Sequence, residues 1–245
     1  MRKTGLFIML IVLLVGGPLG WAVFQGGGAA AFERDSRWNT SYSEGRALYL
    51  KYCSACHGTD GEGRIGLPLN LQSFLTVAPP GYIRRSIFYG RLPRQMTPFG
   101  TILSKKEIEA IATYVRGWQV QDYKGIDVRR VAGSVSNGKL LFNGICSGCH
   151  GRDGVGGPQV GGGHVTSAIA GYAGPSLNNQ GFLKSATDGY IKATLMYGRV
   201  GTPMGAYLKG RQGFVELSEE EINDIVAYIR SWERQDAGPQ DPWRE

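Results

Sequence analysis

Two stretches of the chain carry an apolar stripe at helical spacing. Ile108, Ile111, Tyr114, Val115 and Trp118 form one, and Ile222, Ile225, Tyr228, Ile229 and Trp232 form the other. Residues three and four apart share one side of a helix, so each stripe predicts a helix facing a core. Ser104 with Glu107, and Ser218 with Glu221, stand just ahead of these stripes as Ser-x-x-Glu capping boxes and mark where each helix begins. No useful run of strict alternation occurs, and the intervals between helical stretches are rich in glycine and proline. The expected fold is all-α with long loops.

The N-terminus has a different pattern. After Arg2 and Lys3, the stretch Leu6 to Phe24 holds no charged residue over nineteen positions, close to the roughly twenty that a spanning helix needs. The basic flank predicts that the N-terminus stays inside. A cleaved signal peptide, with Ala29 to Ala31 as its site, is the competing reading, but its apolar region is usually only about 7–15 residues. The favoured organisation is an anchor over 1–25 and a glycine-rich tether over 26–40, with everything later on the periplasmic or extracytoplasmic side.

The remainder is a repeat. Gly45, Tyr49 and Cys53 recur as Gly138, Phe142 and Cys146, each trio spaced by four and therefore stacked along one side of a helix. Gly81-Tyr82-Ile83 and Tyr89-Gly90-Arg91 recur as Gly189-Tyr190-Ile191 and Tyr197-Gly198-Arg199 at a larger shift, so fifteen residues are inserted in the second copy between His150 and Leu177. The predicted domains are 41–120 and 134–234, joined by a linker over 121–133 and followed by a C-terminal tail over 235–245. Apolar residues make up 42% of the chain, which excludes a disordered or fibrous protein.

All four cysteines sit in two Cys-x-x-Cys-His strings: Cys53, Cys56 and His57, then Cys146, Cys149 and His150. Two thiols one helical turn apart, followed by a histidine placed to ligate iron, are the marks of covalent haem c. A zinc ribbon or redox dithiol is the alternative for one such string, and its repetition in an exported chain argues against both. Two covalently bound haem c groups are therefore expected. Met96 lies five residues after Arg91, as Met204 does after Arg199, and no other methionine pair obeys the repeat. These are the expected second axial ligands, since His/Met ligation is common. Met196, aligned with Phe88, is assigned to packing. His164, in the inserted loop, is the rival for the second iron.

In these features the chain resembles the class I c-type cytochromes in tandem form, from Ser43 to Trp232. The resemblance implies an all-α fold of two tandem cytochrome c domains after one transmembrane helix. It also implies that a proline carbonyl holds the ligand histidine: Pro175 fits this role, and Pro68 stands one place out of step. Arg91 and Arg199 occupy the family's Gly-Arg position, from which a guanidinium can reach a haem propionate.

Six-coordinate irons leave no position for substrate, so the resemblance implies outer-sphere electron transfer rather than bond-making. The whole chain has a formal charge of +7, without the basic runs that mark a nucleic-acid binder. Residues 41–120 carry ten Lys/Arg against five Asp/Glu, and 134–233 eight against eight. Arg84, Arg85, Arg91 and Arg94 near Met96 predict a basic rim that steers an acidic redox partner. The resemblance extends to dihaem subunits of bc-type quinol-oxidising complexes and cbb-type oxidases, and implies redox partners within a respiratory or photosynthetic membrane complex. A dihaem enzyme of peroxidase or thiosulfate-oxidising type, or the haem subunit of a heterodimeric dehydrogenase, are the alternatives.

Overall fold

The computed structural model describes residues 40–93, 96–156, 174–211, 213–235 and 241–243, and the backbone of 159–160 and 164–165. The expected N-terminal anchor and tether lie outside these residues. No described helix is long and apolar enough to cross a membrane.

The chain from Tyr42 onward is one compact unit. Its first half contains α1 (40–52), α2 (Ser54–His57), α3 (Gln72–Leu75), α4 (Pro80–Tyr89) and α5 (Lys105–Arg116). The second contains α6 (Val135–Leu141), α7 (Ser147–His150), α8 (Gln180–Ser185), α9 (Asp188–Tyr197) and α10 (Glu219–Arg230). A π-helical turn, Phe142–Cys146, joins α6 to α7. The inserted stretch adds a two-residue antiparallel pair, β1 (Gln159–Val160) with β2 (His164–Val165), and the regular structure among the described residues is helical apart from this pair and an isolated bridge between Leu208 and Leu217.

Both capping boxes form as the sequence predicts. The side chains of Ser104 and Ser218 accept from the N–H of Glu107 and Glu221, whose carboxylates accept in return from the cap N–H. Except for Trp118 and Trp232, which are partly buried, the two stripes are buried.

Each half is built on one helix crossing. A Cβ added to Gly45 would overlap the carbonyl oxygen of Ala110, and one added to Gly138 would overlap that of Asp224. Only glycine allows backbones this close. Four residues on, Tyr49 packs against Tyr114 and Trp118 with centroids 5.3 and 5.2 Å apart. Phe142 meets Tyr228 and Trp232 at 5.6 and 5.3 Å. The Gly/aromatic/Cys trio thus fixes the crossing, fills it, and delivers the first cysteine.

The arginine ending each closing helix staples it to the short helix and turn ahead of α4 or α9. Arg116 donates to the carbonyls of Leu75, Ala78 and Pro79. Arg230 donates to those of Leu183 and Ala186 and also pairs with the buried carboxylate of Asp188 at 2.6 Å. Asp188 in turn accepts from the N–H of Val131 at 2.9 Å, while Lys124 N–H donates to Thr76. The residues expected as a linker are therefore bonded at both ends.

The halves meet along a reciprocal seam. Tyr82 and Tyr190, equivalent in the repeat, stack with centroids 4.1 Å apart and planes at 28°. Arg91 donates to its own Gly90 carbonyl, to Ser86 Oγ, and across the seam to Ser185 Oγ. Arg199 does the same with Gly198, Thr194 Oγ1 and, across the seam, the carbonyl of Ser73. Asn179 adds a bond to the carbonyl of Leu92 at 2.8 Å.

Candidate haem sites and the family of the chain

The end of α1 turns into α2 at Cys53, and the π-helical turn leads into α7 at Cys146, so each Cys-x-x-Cys-His string occupies one short helical turn. An extra residue inside a helix re-aims the side chains that follow, and such turns recur at functional positions. None of the four cysteines is in a disulfide, and burial pushes Cys53 and Cys146 up to about 12. A redox dithiol requires the opposite shift, towards a stable thiolate. Each half thus presents two cysteines outside any disulfide, the first of them largely buried, ahead of a histidine.

The two histidines are held alike. His57 Nδ1 lies 2.8 Å from the carbonyl of Leu67, and His150 Nδ1 lies 2.9 Å from that of Pro175. A carbonyl can only accept, so Nδ1 carries the proton in both rings and Nε2 keeps its lone pair for a metal. Burial lowers both imidazoles below the ordinary histidine range, against the opposing effect of the carbonyl bond, and favours the neutral ring that ligation needs.

Glycine makes room for these rings. A Cβ on Gly66 would come within 2.7 Å of His57 Cε1, and one on Gly174 within 2.5 Å of His150 Nδ1. The same glycines donate their N–H to the carbonyls of Cys56 and Cys149, each at 2.8 Å. The acceptor in each half is the residue following this glycine, which corrects Pro68: its carbonyl is not the one His57 meets, and the Leu67 carbonyl is. The Gly66-Leu67 and Gly174-Pro175 pairs obey the same shift as the tyrosines of the seam. Proline does not mark this position, because the bond uses a backbone carbonyl that any residue supplies. A Pro68→Ala protein is accordingly expected to keep the ferric electron paramagnetic resonance g-values of its first haem. Gly174→Ala should shift those of the second by displacing His150, and unchanged g-values in Gly174→Ala would refute the packing argument.

The methionine loops also close in the same way. Gly90 and Gly198 have φ of 59° and 66°, and the next residue in each half, Arg91 or Arg199, donates its N–H to the carbonyl of Met96 at 2.8 Å or Met204 at 2.7 Å. Both methionines are partly buried. Met196 and Phe88 pack at the edge of the core. His164 is placed in β2 by its backbone alone.

The basic rim is not what the sequence predicts. Arg85 pairs with Asp241 at 2.7 Å, Arg84 lies over the ring of Trp243, and Arg91 is committed to the seam; Arg94 lies outside the described residues. A count of arginines cannot distinguish a solvated face from one already paired. The sequence reading also missed Arg116, Arg230, Asp188 and the stacking of Tyr82 on Tyr190. The recurrence of Gly-Tyr-Ile was the available signal for the last.

Two family models match the chain: "Cytochrome C oxidase, cbb3-type, subunit III" over residues 40–115 and "Cytochrome c" over residues 135–233. Among curated relatives, the cbb3-type cytochrome c oxidase subunit FixP of Azorhizobium caulinodans is 30% identical over 140 residues, covering 54% of this chain and 46% of that protein. FixP of a Bradyrhizobium species is 27% identical over 199 residues, covering 77% and 60%. CcoP of Cereibacter sphaeroides is 28% identical over 197 residues, covering 76% and 59%. The chain thus spans less than two thirds of the length of these relatives. The histidine cradles and free sulfurs fit what the family models carry on each half, and the chain belongs to the c-type cytochromes as a tandem member with two covalently bound haem c groups.

Proposed function

We propose that this chain relays single electrons through its two haems, within or beside a membrane-bound respiratory oxidase, and that residues 1–25 anchor it there with both haem domains on the periplasmic side. The reading treats 41–120 and 134–234 as the domains. Its principal support is the reciprocal seam: two similarly built histidine and methionine frames share one compact body, a geometry suited to passing charge between them. The relatives named as cbb3-type oxidase subunits supply the proposed partner class.

When bound, each haem would supply a one-electron iron couple, whose potential methionine ligation would raise relative to a second histidine. The protein's work is positional. Cys53, Cys56, Cys146 and Cys149 would hold the groups covalently, and His57, His150, Met96 and Met204 would supply the iron ligands. Arg91 and Arg199 make their seam bonds through Nη1 and Nη2, and their remaining N–H donors would receive the haem carboxylates.

Met96→His and Met204→His proteins are each expected to lose half of the near-infrared sulfur-to-iron charge-transfer intensity of the oxidised dihaem protein. Retention of full intensity in either would remove that methionine as a ligand. Purification from native membranes tests the partner: oxidase subunits should copurify, whereas a dehydrogenase subunit would overturn the proposal.

A further inference from the structure

The arginines on the outer side of α4 are paired with the chain's own C-terminal segment. Arg85 Nε donates to Asp241 Oδ2 at 2.7 Å, and the aspartate is only 9% exposed. Two residues on, Trp243 Nε1 donates to Glu109 Oε1 of α5 at 2.7 Å. The Arg84 guanidinium stands 5.5 Å from the Trp243 ring centroid and Lys105 Nζ stands 6.0 Å from it, while Phe88 meets it edge-on at 5.8 Å. Trp243 N–H also donates to Asp241 Oδ1 at 3.0 Å, folding the segment into a tight turn with both side chains on one surface.

Each contact answers a specific feature of the segment. The carboxylate takes a charge-assisted bond, the indole N–H takes a carboxylate acceptor, and the indole ring takes an aromatic edge and two cations. Arg84 Nε is buried without a hydrogen bond, so its charge is met there by the ring and by Glu109 at 4.0 Å. We propose that the α4–α5 face of the first half is a docking site for an acidic, tryptophan-bearing segment, and that Asp241–Trp243 occupies it in cis as a clamp from the second half.

The clamp is a tie between the halves separate from the seam and the linker, and it does not depend on the electron-transfer reading. Tethering places the segment near its site at an effective concentration on the order of mM, so even a weak site is filled in cis. The same residues added as a free peptide meet no such advantage. Docking of the segment also withholds Arg85 from any external acidic partner.

The test uses the holoprotein ended after Gln235 and a dye-labelled peptide of residues 236–245, followed by fluorescence anisotropy. The peptide should bind the shortened protein at least tenfold more tightly than the full-length protein. Arg85→Gln in the shortened protein should abolish that difference. Equal binding to the shortened and full-length proteins, or binding indifferent to Arg85→Gln, would overturn the proposal. If the shortened protein does not fold, full-length Asp241→Asn replaces it. Amide exchange in α4 and α5 should then rise about tenfold over the parent, and unchanged exchange would overturn the clamp.

Discussion

A Gly138→Ala protein is expected to lose about 2–3 kcal/mol of stability. Its new Cβ would occupy the space of the Asp224 carbonyl oxygen and lie 3.0 Å from Tyr228 Cβ. Neither neighbour is the far end of a flexible side chain, so α6 must move off α10, and forced overpacking of this kind costs about 1–3 kcal/mol and occasionally more. Alanine's better helix propensity returns at most about 1 kcal/mol. The movement also carries Phe142 away from Trp232 and alters the approach to Cys146, so incomplete attachment of the second haem should accompany the loss. Gly144→Ala is the control, because nothing lies within 4 Å of the added carbon. Denaturant midpoints of the three holoproteins make the comparison. Equal midpoints for Gly138→Ala and the parent would dispose of the crossing as a packing constraint.

Arg230→Met is expected to cost about 3–5 kcal/mol, the range for removing one partner of a buried ion pair. Arg230 and Asp188 have side-chain exposures of 9% and 3%, and the substitution strands both the carboxylate and the Leu183 and Ala186 carbonyls. Arg130, 3.5 Å from Asp188 but largely in solvent, offsets part of this, which favours the lower end of the range. Arg116→Met should cost less, about 1–3 kcal/mol, because it strands only uncharged acceptors, backbone carbonyls and the Gln119 amide oxygen. The corresponding place in the first half is Pro80, without a carboxylate. The discriminating measurement is the pair of unfolding free energies, and an Arg116→Met loss equal to or larger than that of Arg230→Met would contradict the role given to Asp188.

What the sequence conveyed and what it concealed divide by the range of the interaction. Ser104 and Glu107 find each other within one turn, and the stripe from Ile108 to Trp118 needs only helical periodicity, so the closing helices were legible. The Cys-x-x-Cys-His strings are equally local. Tyr82 stacking on Tyr190, Arg199 reaching Ser73, and Asp241 meeting Arg85 join residues more than a hundred positions apart. Periodicity carries no information about such pairs. The repeat carried some: the shift that relates the seam tyrosines also maps Pro175 onto Leu67, but the expectation followed proline to Pro68 instead. The arginine cluster shows the remaining limit: charge can be counted in a sequence, but its counter-charge lay in the tail.

The seam has near two-fold character, with the same residue type at its centre from both sides and the same Gly-Arg turn flanking it on each. A junction that treats its two sides alike has no built-in polarity, so it can couple the two redox sites without ranking them. Any preferred direction of charge flow must arise away from the seam, where the halves have diverged. Tyr49 donates its hydroxyl to Gly58 beside the first histidine, whereas Phe142 has no hydroxyl and Tyr228 instead bonds Asp153 beside the second. A rectifier in this molecule would therefore be written in the surroundings of each site, and exchanging those surroundings should reverse it while leaving the junction intact.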